Sequence, residues 1–179
     1  MPAIDADVRI QLLTFKDGLL SRMAHDLRID VTRFTVEEDG DAIEARIDAT
    51  SLRVDTAMKR GQPHGALSSS DKAKIEATIR DVLSAAQHPE IVFRADAPRR
   101  ASVAGTLRLA GRELPVRLQF RDLVNERVAE VRLDQRDYGV TPYSAMGGTL
   151  KVKPEVVVRI TTNWGAREGE RRMPVSSKA

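Results

Sequence analysis

Strict alternation of apolar and charged residues constrains this chain more than any other feature. Ile43, Ala45, Ile47 and Ala49 alternate with Glu44, Arg46 and Asp48. A period of two puts one set on each face of a β-strand. The pattern recurs along the chain. Val8, Ile10 and Leu12 follow it, as do Leu27, Ile29 and Val31. It returns at Ile91, Phe93 and Ala95, then at Val103, Gly105, Leu107 and Leu109. Val116, Leu118 and Phe120 carry it, then Ala129, Val131 and Leu133, and finally Val156, Val158 and Ile160, with Trp164 placed on the same last strand. After Val31 the parity flips, because Phe34 and Val36 are the next apolar residues. A flip inside one strand predicts a bend near Thr32–Arg33.

Two segments break the alternation. Residues 54–69 have no period and contain Gly61, Pro63 and Gly65, which predicts a long loop. Ile75, Ile79, Val82, Leu83 and Ala86 then fall at helical spacing. Ser70 or Asp71 can cap that helix, and His88-Pro89 can end it. About eight one-face-apolar strands joined by short turns read as an antiparallel sandwich or barrel. Closure would remove the exposed edges. A barrel of about eight strands either fills its interior or encloses one small ligand. Here the inward set is mostly Ala, Val, Leu and Ile, with Phe34, Phe93 and Phe120 the large members. Modest side chains favour a cavity, and the residues expected to line it are Phe34, Ile47, Phe93, Leu107, Leu118, Phe120, Val131 and Val158.

The segment Arg136–Pro154 separates the last two alternating runs. Gly139, Pro142, Gly147 and Gly148 mark it as a loop, and Tyr138, Val140, Pro142, Tyr143 and Met146 make it partly apolar. It reads as the mouth of the barrel. Tyr138, Tyr143 and Met146 either plug the open end or line a portal, where amphipathic rings and a flexible thioether suit a greasy ligand.

Several function classes have little support. The net charge is +3, but Arg167, Arg171, Arg172 and Lys178 against Glu168 and Glu170 put two of those charges after Gly165. Residues 1–164 therefore carry only +1, with aromatics at 4%, so no nucleic-acid partner is expected. No run approaches the roughly 18 apolar residues of a membrane span. The N-terminus is acidic and lacks the apolar stretch of a secretory signal, which gives a cytoplasmic expectation. There is no cysteine, and His25, His64 and His88 lack metal-ligand spacing. Ser68–Ser70 lacks a nucleophile elbow. No cofactor, metal or catalytic group is expected.

Several of these segments, in this order, resemble the YceI-like family of lipid-binding barrels, typified by bacterial polyisoprenoid-binding proteins. His25-Asp26-Leu27 is similar to that family's early histidine before a strand. Ala49-Thr50-Ser51-Leu52 is similar to its acid-x-x-S strand end. His88-Pro89-Glu90-Ile91-Val92-Phe93 resembles its Y-P-x-I-x-F. Residues Val103–Gly111 resemble V-x-G-x-L-T-L-x-G, and Gln135–Val140 resembles R-x-D-F-G-V/I. The helical stretch Asp71–Ala86 departs from the family's R-D-x-H-L segment.

The resemblance implies an all-β, mainly antiparallel, eight-stranded lipocalin-like barrel; the periodicity places it over residues 1–164 with one α-helix between the third and fourth strands, and residues 165–179, which lack periodicity, are expected to form a disordered tail. The resemblance also implies non-enzymatic binding, storage or transport of an isoprenoid or similar amphiphile. The competing reading is a filled barrel that serves as a protein-interaction scaffold without a lipid ligand. Homodimerisation stays open.

Overall fold

The structure is a computed structural model, and it describes residues 8–18, 25–65, 67–96 and 102–163. Trp164 and the 165–179 tail lie outside the described residues.

Among the described residues, twelve strands and one α-helix follow in chain order: β1 (Val8–Asp17), β2 (Asp26–Val31), β3 (Phe34–Asp39), β4 (Ala42–Asp48), β5 (Leu52–Lys59), β6 (Gln62–His64), α1 (Ser69–Val82), β7 (Glu90–Asp96), β8 (Ser102–Leu109), β9 (Arg112–Asp122), β10 (Glu126–Asp134), β11 (Ser144–Ala145) and β12 (Leu150–Asn163). All pairings are antiparallel, in the order β3-β4-β7-β8-β9-β10-β12-β1-β2-β5-β6, with β11 added beside β12. The sheet curls into a half-barrel. The strand count therefore exceeds the expected eight, and the helix lies between β6 and β7 rather than between the third and fourth strands.

The expected second strand is two. β2 passes into β3 through Thr32–Arg33, where the parity flip predicted a bend. β4 passes into β5 through a 3-10 turn at Ala49–Ser51. The bends face each other. Thr32 N–H donates to the Ser51 carbonyl at 3.2 Å, and Asp48 N–H donates to the Arg33 carbonyl at 3.1 Å. One bent hairpin thus belongs to both ends of the curled sheet, pairing β2 with β5 and β3 with β4.

The predicted 54–69 loop is largely strand. Leu52, Val54 and Ala57 are buried, which is not an even spacing. Opposite Arg28 and Ile29 stand Thr56 and Val54, so Asp55 is an extra residue. This bulge resets the parity and hides the strand from a period-two reading. Arg60 and Gly61, both at positive φ, then make a two-residue turn into β6.

The helix is capped by Ser68, not by Ser70 or Asp71. The Ser68 hydroxyl accepts from Asp71 N–H at 3.1 Å, and the Asp71 carboxylate accepts from Ser68 N–H at 3.1 Å. These reciprocal bonds form a capping box. The helix ends at Val82, before His88-Pro89. Ser84 takes a left-handed φ of 50°, and Ala85 N–H reaches the Arg80 carbonyl at 2.9 Å while Ser84 N–H reaches Asp81. That Schellman geometry stops the helix without a glycine. Ala85 rather than Ala86 is the buried residue beyond it.

Helix α1 docks on β5. Glu76 accepts the backbone N–H of Val54 at 2.9 Å, and Lys72 donates to the Asp55 carbonyl. Both bonds use backbone groups that β6, paired only at residues 57–59, does not reach. The helix so covers an otherwise open strand edge.

The solvent face carries the charges. Glu44 stands opposite Arg94, and Glu130 opposite Arg159, and both pairs form salt bridges. Such exposed pairs add little to stability, because water screens them. The hydrogen bond from Arg94 holds the Glu44 carboxyl below its ordinary range. The inward face builds a packed cluster of Ala95, Val103, Val116, Leu118 and Ala129. By register this cluster sits toward the β9–β10 turn.

Candidate functional site

Beyond that cluster the curled sheet encloses a cavity of about 530 Å³. This lies within the ordinary range of small-molecule pockets, roughly 300–1,000 Å³. The inward parity of the strands makes its wall: Ile10, Leu12 and Thr14 from β1, Leu27 and Ile29 from β2, Leu133 from β10, and Val156 and Ile160 from β12. The remaining side is closed by α1, whose Ile75, Ile79 and Val82 face inward. No helix residue is fully buried, because the helix packs against the cavity rather than against a filled core.

Six of the eight expected cavity residues line this space: Ile47, Phe93, Leu107, Leu118, Val131 and Val158. Phe93 lies against Gly105 across the β7–β8 pair. A Cβ on Gly105 would meet the Phe93 ring at 2.8 Å and the Arg94 carbonyl oxygen closer still. The missing Cβ leaves the room that the ring occupies.

Two expected residues are elsewhere. Phe34 faces a separate, more polar groove with Arg33, Arg46, His88 and Arg108. It stands opposite Ile47 and so shares its face, but it sits on β3, the end strand of the order, and does not line the cavity. Phe120 packs on the buried cluster, with the Arg127 guanidinium 5.4 Å from its ring centroid. It points inward but lies past the end of the cavity.

The three expected portal residues separate as well. Tyr143 lines the cavity and is 41% exposed, so it stands at a rim. Its carbonyl accepts Val152 N–H at 3.0 Å, which fixes the loop onto β12. Met146 is 66% exposed and does not line the cavity. Tyr138 is 3% exposed, within a 3-10 turn at Gln135–Tyr138. Burial raises its phenol pKa, with the nearby Asp137 charge adding to the effect. It anchors the loop rather than gating it.

The alternation pattern did not single out the polar part of the lining. Lys16, His25, Lys74, Gln135 and Lys151 line the same cavity. Lys16 could have been found, because it continues the inward parity of Ile10, Leu12 and Thr14. Lys74 stands four residues before Thr78, which also lines the cavity. Among the described residues no cluster of three or more metal-ligating side chains occurs, and no helix is long and apolar enough to cross a membrane.

An antiparallel sheet curled around an aliphatic cavity and roofed by one helix defines a cavity-bearing, barrel-like fold. The YceI-like domain matches residues 11–164, and the chain belongs to the YceI-like family. BcnA of Burkholderia cenocepacia has a similar structure, with a TM-score of 0.51 and 11% identity over 87% of this chain and 96% of that one. The YCEI protein of Campylobacter jejuni is similar at a TM-score of 0.50 and 10% identity, over 78% and 86%. At such identity the likeness is one of fold. No curated protein matches the sequence.

Proposed function

We propose that the protein binds, stores or carries a long-chain apolar or amphiphilic molecule of the isoprenoid or fatty class, without acting on it as an enzyme. One observation carries the reading: a cavity of about 530 Å³ whose strand and helix walls are mostly aliphatic. A hydrocarbon chain gains about 0.8 kcal/mol per buried CH₂ before ordering costs. Such a tube binds it with few polar contacts, and cavity length and width do the selecting. Ile47, Phe93, Leu107, Leu118, Val131 and Val158 contact the chain, and Tyr143 stands where it enters. Membership of a family of lipid-binding barrels supports the same reading.

The test is organic extraction of the purified protein followed by mass spectrometry, then titration with a lipophilic fluorescent probe. Saturable binding is expected, and Leu107→Trp and Val158→Phe should weaken it at least tenfold while the fold is kept. An empty extract together with non-saturable probe uptake would leave the scaffold reading instead.

A further inference from the structure

The lining carries a one-sided charge. Lys16 on β1, Lys74 on α1 and Lys151 on β12 all reach the cavity, and among the described residues no Asp or Glu does. Elsewhere the described basic groups are mostly matched with carboxylates, as in the pairs Arg28–Asp55, Arg132–Glu155 and Arg136–Asp134. Among the described residues, neither Lys74 nor Lys151 has a carboxylate within ion-pair distance. Lys74 reaches Asp71 only as a longer-range charge, and the Asp71 carboxylate is held by the Ser68 cap.

The strand register puts Lys16 and Lys151 at one end of the site. Lys16 stands opposite Val152, and Asp17 opposite Lys151. The Lys16 backbone N–H donates to the Asp26 carboxylate at 2.9 Å, which ties in His25 beside it. Tyr143 is held to Val152 there, and the Gln135 side chain donates to the Lys153 carbonyl at 3.2 Å.

From this arrangement we infer that the ligand carries an anionic oxygen headgroup, a carboxylate or a phosphate, held by Lys16, Lys74 and Lys151 while its chain lies in the aliphatic cavity. The inference rests on the cavity being an amphiphile site. A neutral headgroup needs hydrogen-bonding groups but no excess of ammonium. A cationic one meets like charges instead, since Lys74 and Lys151 stand exposed where they line the cavity. A Lys ammonium is a point-charge donor that suits either anion, so the chemistry shared by carboxylate and phosphate is what the site selects.

Displacement of a neutral lipophilic fluorescent probe tests it with four ligands of one chain length: hexadecanol, hexadecanoate, hexadecyl phosphate and hexadecyltrimethylammonium, each kept monomeric. Hexadecanoate or hexadecyl phosphate should displace at a concentration at least tenfold below that of hexadecanol, with the cation weakest. The order of the two anions tells which headgroup is preferred. In Lys74→Gln/Lys151→Gln the ratio between anion and alcohol, measured on that variant, should fall toward one. Raising salt should also shrink the wild-type ratio. Lys151→Glu provides a second variant, in which the cation gains relative to the anions. Equal displacement by alcohol and anions in the wild type overturns the inference and leaves the carrier reading standing. No displacement by any of the four overturns both.

Discussion

Gly105 shows how one missing side chain shapes the site. It faces Phe93 so closely that an added Cβ meets the ring at 2.8 Å and the Arg94 carbonyl oxygen closer still. A backbone oxygen cannot yield as a side chain can. Gly105→Ala should therefore destabilise the protein by about 1–3 kcal/mol, the usual cost of overpacking. Denaturant unfolding checks this, and an unchanged midpoint would refute the contact. Such detail was only half legible in the sequence. Alternation alone assigned Ile47, Phe93, Leu107, Leu118, Val131 and Val158 to the inner wall, because parity on a half-buried strand is dictated by burial. It said nothing of depth. Phe120 shares the inward face of Leu118, yet two residues along the strand it has left the cavity for the packed cluster. Tyr138 and Tyr143 looked alike as loop aromatics, and only three-dimensional packing makes one an anchor and the other a rim.

At the scale of elements, the corner at Asp48–Ser51 joins the two ends of the sheet. Asp48 accepts from the Thr50 hydroxyl at 2.6 Å, from Thr50 N–H at 2.7 Å and from Arg33 at 2.7 Å. The Thr50 hydroxyl bond is the main reason its pKa lies below the ordinary aspartate value; partial burial opposes it, and Thr50 N–H and Arg33 help. A carboxyl whose folded pKa is lowered stabilises the native state above its unfolded pKa, and that contribution is lost as pH falls through the folded value. Since the group is partly exposed, the magnitude is that of a surface pair, about 0.2–1 kcal/mol. Asp48→Asn should lower the Tm at pH 7, and the gap to wild type should narrow below about pH 4. A gap constant from pH 7 to 2 would show that the charge is not what matters. Elements were legible where their period was unbroken. The Asp55 bulge erased β5, and the short pairings of β6 and β11 leave no periodic trace. The helix core was visible from Ile75, Ile79 and Val82, but its end was not, because Ser84 adopts the left-handed turn usually left to glycine.

For the molecule as a whole, a large aliphatic cavity is a stability deficit, since its lining atoms lack partners on one side. A ligand that fills it binds the native state alone and shifts the unfolding equilibrium by mass action. At about 100 times its Kd this is worth about 2.7 kcal/mol. For a chain of 179 residues, about 2–4 °C per kcal/mol turns that into a rise in Tm of about 5–11 °C. Hexadecanoate, titrated by thermal shift below its micellar range, should give a rise that grows with the logarithm of its concentration once the site is saturated. Leu107→Trp, with the indole occupying the space the chain would fill, should show little of that rise. A ligand that stuck to the outer surface would raise the Tm of both proteins alike, or lower both by favouring the unfolded chain. The difference between wild type and Leu107→Trp therefore reads the interior of the curled sheet directly, whatever the ligand's origin.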